Sequence, residues 1–330
     1  MKKSAMLHSA NQTGTFLLSL DTELAWGYFD CLNPQDFSSD GQLERQGIHA
    51  LLDLFREFNI HATWAVVGHL FYETCEKCEP CPVKAWEGKY DSFSQVYASD
   101  SRLWYGADVI NAILEDGEMH EIAFHGYTHR PFNETTMRRD EARFEIEEWL
   151  RLAQRKGLAP RTVIFPRNVI GHLELFQEYG FTSYRGAELP SPCYAIPILG
   201  RGLKRYHRYL SSFISAPGYR HEDFQSNGLL NLPSSQHLFG FDQVVSRRVN
   251  ALNLHRWITR TVTDGIRNAA REKKIFHLRA HPNDFRDDKD FDMLRGICQI
   301  VSEEVKSGRL TSLRMDNLAD MVIREAILPV

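Results

Sequence analysis

Two histidines four residues apart, His125 and His129 in FHGYTH, are the residues whose type and spacing first suggest chemistry. If the backbone turns helically there, both imidazoles project to one side and could share a divalent cation. The same spacing also suits two histidines with unrelated packing roles. Two carboxylates, Asp21 and Glu23, end the apolar run of TFLLSLDTELAWG. They read either as turn residues behind a strand or as acids at a strand's carboxyl end, where parallel α/β folds collect their reactive groups. Arg167 in FPRN and His281 in HLRAHPND each follow a further apolar run. Singly, Arg167 fits a surface ion pair and His281 a loop histidine before proline. The four motifs gain meaning only if the fold brings them to one rim.

The elements that must do so alternate along the chain. Phe16, Leu17, Leu18 and Leu20 have the apolarity of a strand buried on both faces. Ile48, Leu51, Leu52, Phe55 and Phe58 recur at helical spacing and Asn59 closes that helix. HATWAVVG, residues 61–68, reads as a second strand and completes a βαβ opening. A helix through Val109 to Leu114 precedes a third strand, Glu121 to His125. The long helix after it is expected to be capped by Asn133, buried along Ala142, Ile146, Trp149, Leu150 and Ala153, and stopped by Gly157. Strands follow at Thr162 to Phe165, Phe181 to Tyr184, Leu229 to Leu232, Ile275 to Leu278 and Leu310 to Arg314. Helices are expected before Tyr179, over Leu252 to Ala270, over Phe291 to Val305 and from Asp316 onward. Seven or eight such units predict one barrel-like α/β domain over residues 15–323, behind a tail of residues 1–14.

Two insertions break the rhythm, at about residues 70–105 and 187–222. The first carries Cys75, Cys78 and Cys81, one ligand short of a zinc or iron-sulfur set unless Cys31, Cys193 or Cys298 joins through the fold. A loop of free thiols is the other reading. The second has a basic, aromatic middle, Arg201 to Tyr209, which fits either a solvated helix face or contact with phosphate or a membrane surface. With 43% hydrophobic residues, 25% charged residues and a net charge of -4, no global basic field recruits nucleic acid. The N-terminal residues lack the apolar core of an export signal and no segment has the length of a membrane span, so a cytoplasmic location with reduced thiols is expected.

Taken in order, SLDTE, FHGYTH, FPRNVIGH and HLRAHPND resemble the polysaccharide deacetylase family, the NodB-homology carbohydrate esterases. The resemblance spans about Phe16 to Asp284. It implies a distorted (β/α) barrel of about seven strands and removal of N- or O-acyl groups from sugars. It also implies Asp21 as general base, His125 and His129 as metal ligands, Arg167 as the arginine orienting the base, and His281 as the acid. Thr22 stands where the family's common motif has a second aspartate; some relatives instead carry the metal carboxylate two residues after the base, which would fall on Glu23 here, and others of the fold hydrolyse amides without a metal. The family's tryptophan-bearing fourth motif is not evident, LPSS at Leu232 to Ser235 lying roughly in its place.

The chemistry can be stated from the groups themselves. Hydrolysis of an unactivated acetamide needs a nucleophilic water, stabilisation of the oxyanion and a proton for the departing amine. A divalent cation, Zn2+ first with Co2+, Ni2+ or Fe2+ as alternatives, supplies the first two. Asp21 would take the water's proton, and Arg167 would orient it through a bidentate pair. His281, paired with Asp284 or Asp287, would protonate the nitrogen. Trp26 offers a ring for a pyranose face and Asn283 a polar contact to substrate; Trp64, inside a strand, reads as core. The expected function is metal-dependent deacetylation of a nucleotide-linked or lipid-linked amino sugar for envelope polysaccharide. A metal-independent amidohydrolase acting on a non-sugar amide and a non-catalytic sugar-binding module are the alternatives.

Overall fold

The computed structural model describes residues 13–29, 40–74, 101–188, 216–220, 225–226, 228–239 and 255–327. Strand β1, Gly14–Thr22, is buried along its whole length. Helix α1 (Gln42–Phe58) ends on Asn59, whose left-handed backbone, φ 56°, closes it as expected. Then come β2 (Ala62–Val66), α2 (Ala107–Glu115), β3 (His120–Phe124), α3 (Arg139–Arg155), β4 (Thr162–Ile164), α4 (Leu173–Glu178) and β5 (Ser183–Arg185). Short strands β6 (Gln225–Ser226), β7 (Leu229–Asn231) and β8 (Gln236–His237) precede α5 (His255–Glu272), β9 (Ile275–Ala280), α6 (Asp288–Lys306), β10 (Leu310–Leu313) and α7 (Met315–Ile327).

These strands form one curled sheet in the order β6-β7-β5-β4-β3-β2-β1-β9-β8, with β10 also on β1. Every pairing is parallel except β6 with β7. The result is a distorted, incompletely closed (β/α) barrel, and its parallel strands end on a common rim. Side chains alternate across β1. Phe16, Leu18 and Leu20 pack outward into the main core. Leu17 joins Ala65, Ile164, Leu230, Leu232 and Ile275 in a separate inner cluster with Met315, Leu318, Ala319 and Val322 of α7. Helix α7 docks at the amino ends of β2 and β3, where Thr63 Oγ1 accepts from the Met315 N–H and the Glu121 carboxylate from the Asp316 N–H. That end is closed by hydrocarbon, leaving the opposite rim for Ser19, Asp21 and what surrounds them.

Three details depart from expectation. Asn133 does not cap α3: its Oδ1 accepts from Thr135 N–H and Oγ1 in a local turn, and α3 starts six residues later, where Glu141 accepts from the Arg138 N–H. The expected helix over Phe291–Val305 starts earlier, at Asp288, because the Asp287 carboxylate accepts from the Lys289 and Asp290 N–H groups. Strand β5 runs on to Arg185, which matters below. Cys75, Cys78, Cys81, Cys31, Cys193 and the Arg201 to Tyr209 stretch lie outside the described residues. Cys298 is buried in α6, and burial pushes its thiol pKa up. No helix among the described residues is long and apolar enough to cross a membrane.

Candidate active site

The two histidines are brought together by a tight turn rather than a helical one. Gly126 has φ 75° and His129 φ 60°, so the chain reverses within four residues. Buried Glu145 of α3 holds that turn. Its Oε2 accepts from the Tyr127 and Thr128 N–H groups at 2.7 and 2.9 Å, and its Oε1 from Thr128 Oγ1 at 2.5 Å. His125 Nε2 and His129 Nε2 then lie 2.8 and 3.0 Å from the same oxygen, Glu23 Oε1. All three residues are buried. Gly27 permits the approach from β1, since a Cβ there would stand 1.7 Å from Glu23 Oε2.

The proton positions say what this cluster can hold. His125 Nδ1 is 2.7 Å from the Ile164 carbonyl, which only accepts, so in the neutral ring Nδ1 carries the hydrogen and Nε2 is a bare lone pair. That lone pair faces a carboxylate oxygen. His129 Nδ1 is buried without a hydrogen-bond partner among the described residues. Burial lowers the His129 pKa in spite of Glu23 beside it, favouring the neutral ring. Burial alone would raise the Glu23 carboxyl, but when the rings are protonated the charge of His129, with hydrogen bonds donated by the two imidazoles, holds it well below the usual range. Two imidazole nitrogens and an ionised carboxylate converging on one point fit a divalent cation, with His125 braced by the backbone in the manner of metal-bound histidines.

Beside this cluster stands Asp21, almost fully buried, and its partner is not Arg167. Arg185, at the end of β5, spans it with Nη1 2.5 Å from Oδ1 and Nη2 2.6 Å from Oδ2. Burial opposes ionisation of Asp21, but the charge and hydrogen bonds of Arg185 win, and the carboxyl lies well below the ordinary range. Arg185 is itself held. Its Nη2 donates to Asn168 Oδ1 at 3.1 Å and its Nη1 to Ser19 Oγ at 3.1 Å. Ser19 in turn faces His277 Nε2 at 2.8 Å, and His277 Nδ1 lies 3.1 Å from the Leu232 carbonyl. Burial and the nearby Arg185 lower the His277 pKa to about 3, so this ring is neutral. A neutral ring that donates through Nδ1 must accept through Nε2, which turns the Ser19 lone pairs toward Arg185.

His281 follows β9 at the same rim, its Nε2 3.7 Å from Asp21 Oδ2. Its Nδ1 is 3.1 Å from Asp284 Oδ2, so of the two acids offered by the sequence Asp284 is its partner, while Asp287 caps α6. Burial would lower the His281 pKa, but the charge and hydrogen bond of Asp284, with Glu23 and Asp21 near, raise it to about 9. His237, from β8, also faces Asp284, with Nε2 3.6 Å from Oδ2.

The remaining expected residues separate. Arg167 is exposed on a left-handed backbone, φ 56°, close enough for its charge to help depress the His129 pKa. Its neighbour Asn168 supplies the bond to Arg185. Trp26 cannot stack on a sugar, being completely buried, with Nε1 donating to the Trp104 carbonyl at 2.9 Å and its ring against His69 and Trp104. Trp64 is core, as expected. Asn283 is half-buried in the turn Pro282–Asp284, next to His281. Arg185, Ser19, His277, Glu145 and His237 were not singled out in the sequence. A signal existed for Arg185: in SYR, an arginine two places after an inward serine falls on the inner face of a buried strand.

Residues 39–167, which include His125 and His129, match the family model described as polysaccharide deacetylase. Over that segment the chain is similar to the polysaccharide deacetylase family. Solved structures share the fold across nearly the whole chain. PuuE allantoinase superposes with a TM-score of 0.57 at 15% identity, covering 96% of this chain and 91% of its own. A probable polysaccharide deacetylase from Pseudomonas aeruginosa PAO1 gives 0.56 at 15% identity, covering 95% and 92%. Among curated proteins no sequence matches.

Proposed function

We propose that this protein is a metal-dependent hydrolase that removes an N-acetyl group from an amino sugar during the making of cell-envelope polysaccharide. The observation that carries the reading is the meeting at one rim of three parts: the cluster of Glu23, His125 and His129, the Asp21–Arg185 pair, and the His281–Asp284 pair. A divalent cation bound by Glu23, His125 and His129 would polarise the acetamide carbonyl and make water acidic enough to attack it. Asp21, ionised at neutral pH, accepts the water's proton. Arg185 fixes both of its oxygens, a bidentate hold that a lysine cannot reproduce. His281, protonated below about pH 9 and 3.7 Å from Asp21, gives its proton to the departing amine. Asp284 keeps that proton in place. Thr22 does not disrupt the arrangement: it separates two carboxylates that reach the same rim from positions 21 and 23.

The proposed substrates are nucleotide-linked or lipid-linked N-acetyl amino sugars met in the cytoplasm. Acetate release from a panel of these sugars tests both reaction and substrate. Asp21→Asn and His281→Ala should each lose on the order of 100- to 10,000-fold in turnover, the range for removing a general base or acid, with an unchanged circular dichroism spectrum. Full turnover in either variant would remove the mechanism. A metal-independent amidohydrolase would need the same two residues but would keep its rate after chelation.

A further inference from the structure

A second group of metal-ligating atoms lies beside the first. Asp284 Oδ2 accepts from the His281 N–H at 2.9 Å and lies 3.1 Å from His281 Nδ1 and 3.6 Å from His237 Nε2. One ligand atom from each of the three residues lies within 4.8 Å of the others, and the two imidazole rings are 5.2 Å apart. These separations bracket the edge of roughly 3.3 Å expected between ligand atoms of a tetrahedral site with bonds of about 2.0–2.1 Å. A further observation points the same way. His237 Nε2 is buried and makes no hydrogen bond among the described residues, although the side chain retains 12% exposure. A nitrogen so placed, facing an ionised carboxylate and a second imidazole, is suited to a borderline cation such as Zn2+.

We propose that His237, His281 and Asp284 form a second divalent-cation site, weaker than the first, whose filling inhibits the enzyme. It is weaker because His281 and Asp284 are about a quarter exposed, and Asp284 already serves a backbone N–H. It inhibits because a cation on His281 Nδ1 takes Asp284 away from that ring and leaves Nε2–H a far poorer acid than an imidazolium. The inhibitory part rests on the deacetylase reading above; the binding does not.

Equilibrium dialysis of the full chain against rising Zn2+, with elemental analysis and acetate release on the same samples, tests it. A second equivalent should enter at higher free Zn2+ than the first, and the rate should fall as it enters. His237→Asn should keep the first equivalent, lose the second, and need at least ten times more Zn2+ for the same fractional inhibition of its own rate. Should that variant not fold, Co2+ titration of the unaltered chain must show two successive spectral changes. A single equivalent at zinc concentrations that already inhibit, or two equivalents in His237→Asn, would overturn the proposal. Glu23→Gln separates the two readings, since it should abolish only the first equivalent. Loss of neither equivalent there would count against the deacetylase centre and leave the second site standing.

Discussion

Asp21 and His281 stand 3.7 Å apart and hold opposite charges at neutral pH, each with one dominant partner. Arg185 depresses Asp21, while Asp284 raises His281 from 6.5 to about 9. The sign for His281 is that of a base stabilised when charged. Its pairing favours the folded state fully below about pH 6.5, and that benefit fades as pH rises through 9. If His281 is the acid of the proposed reaction, it fails over the same upper range, and the basic limb of the kcat profile should fall near pH 9. Asp284→Asn removes the charge that raises it, and the limb should move down by one to two pH units, read from acetate release between pH 6 and 10. An unmoved limb would mean that another group supplies the proton. Arg185→Lys keeps the charge and loses the fork; kcat should drop about 10- to 100-fold with KM nearly unchanged, and a wild-type kcat would show that Arg185 does not position the base. The acids and histidines were legible in the sequence because motif and spacing mark them. Arg185 was not, because one charged residue after a short apolar run reads equally as a strand end or as the start of a loop.

At the scale of elements, the rim is made by turns held in costly shapes. Leu24, His129, Arg167 and Asn168 all have positive φ without being glycine, and all follow strands that end at the site. Such backbone persists where surrounding contacts over-determine it. Around His129 those contacts come from Glu145, whose carboxylate satisfies two backbone N–H groups and a hydroxyl. Glu145→Gln leaves an amide where an acceptor is needed, so the turn between the histidines should loosen. Zinc affinity measured by competition with a chelator should weaken about 10- to 100-fold, the usual effect of disturbing groups that orient metal ligands, while the melting temperature falls only modestly. Unchanged zinc affinity would reduce Glu145 to a packing residue. Periodicity located the long strands and helices because many residues repeat one signal. It could not reveal β6 and β8, which are two residues long, and it assigned Asn133 to the wrong turn because an asparagine that caps a helix and one that closes a loop look alike.

For the whole molecule, the parallel sheet does what no single motif can: it carries Asp21, His125, Arg185 and His281, some two hundred and sixty positions apart at the extremes, to one end of the barrel. Helix α7 seals the other end with Met315, Leu318, Ala319 and Val322 against the inner cluster. The order of β-then-α units made that architecture legible, since parallel strands joined by helices leave all their carboxyl ends on one side. Which inner residues would meet was not legible, because register and curl are set by packing between distant segments. The same architecture makes metal content and catalysis inseparable if the cluster beside Asp21 is the reactive centre. The most direct test is bound metal and acetate release measured side by side in the wild-type chain and Glu23→Gln. At free cation concentrations too low to fill the second site, one equivalent of divalent cation in the wild type, with both that equivalent and at least 99% of the rate missing in Glu23→Gln, is the predicted result; a Glu23→Gln protein free of metal that still releases acetate at the wild-type rate would contradict it.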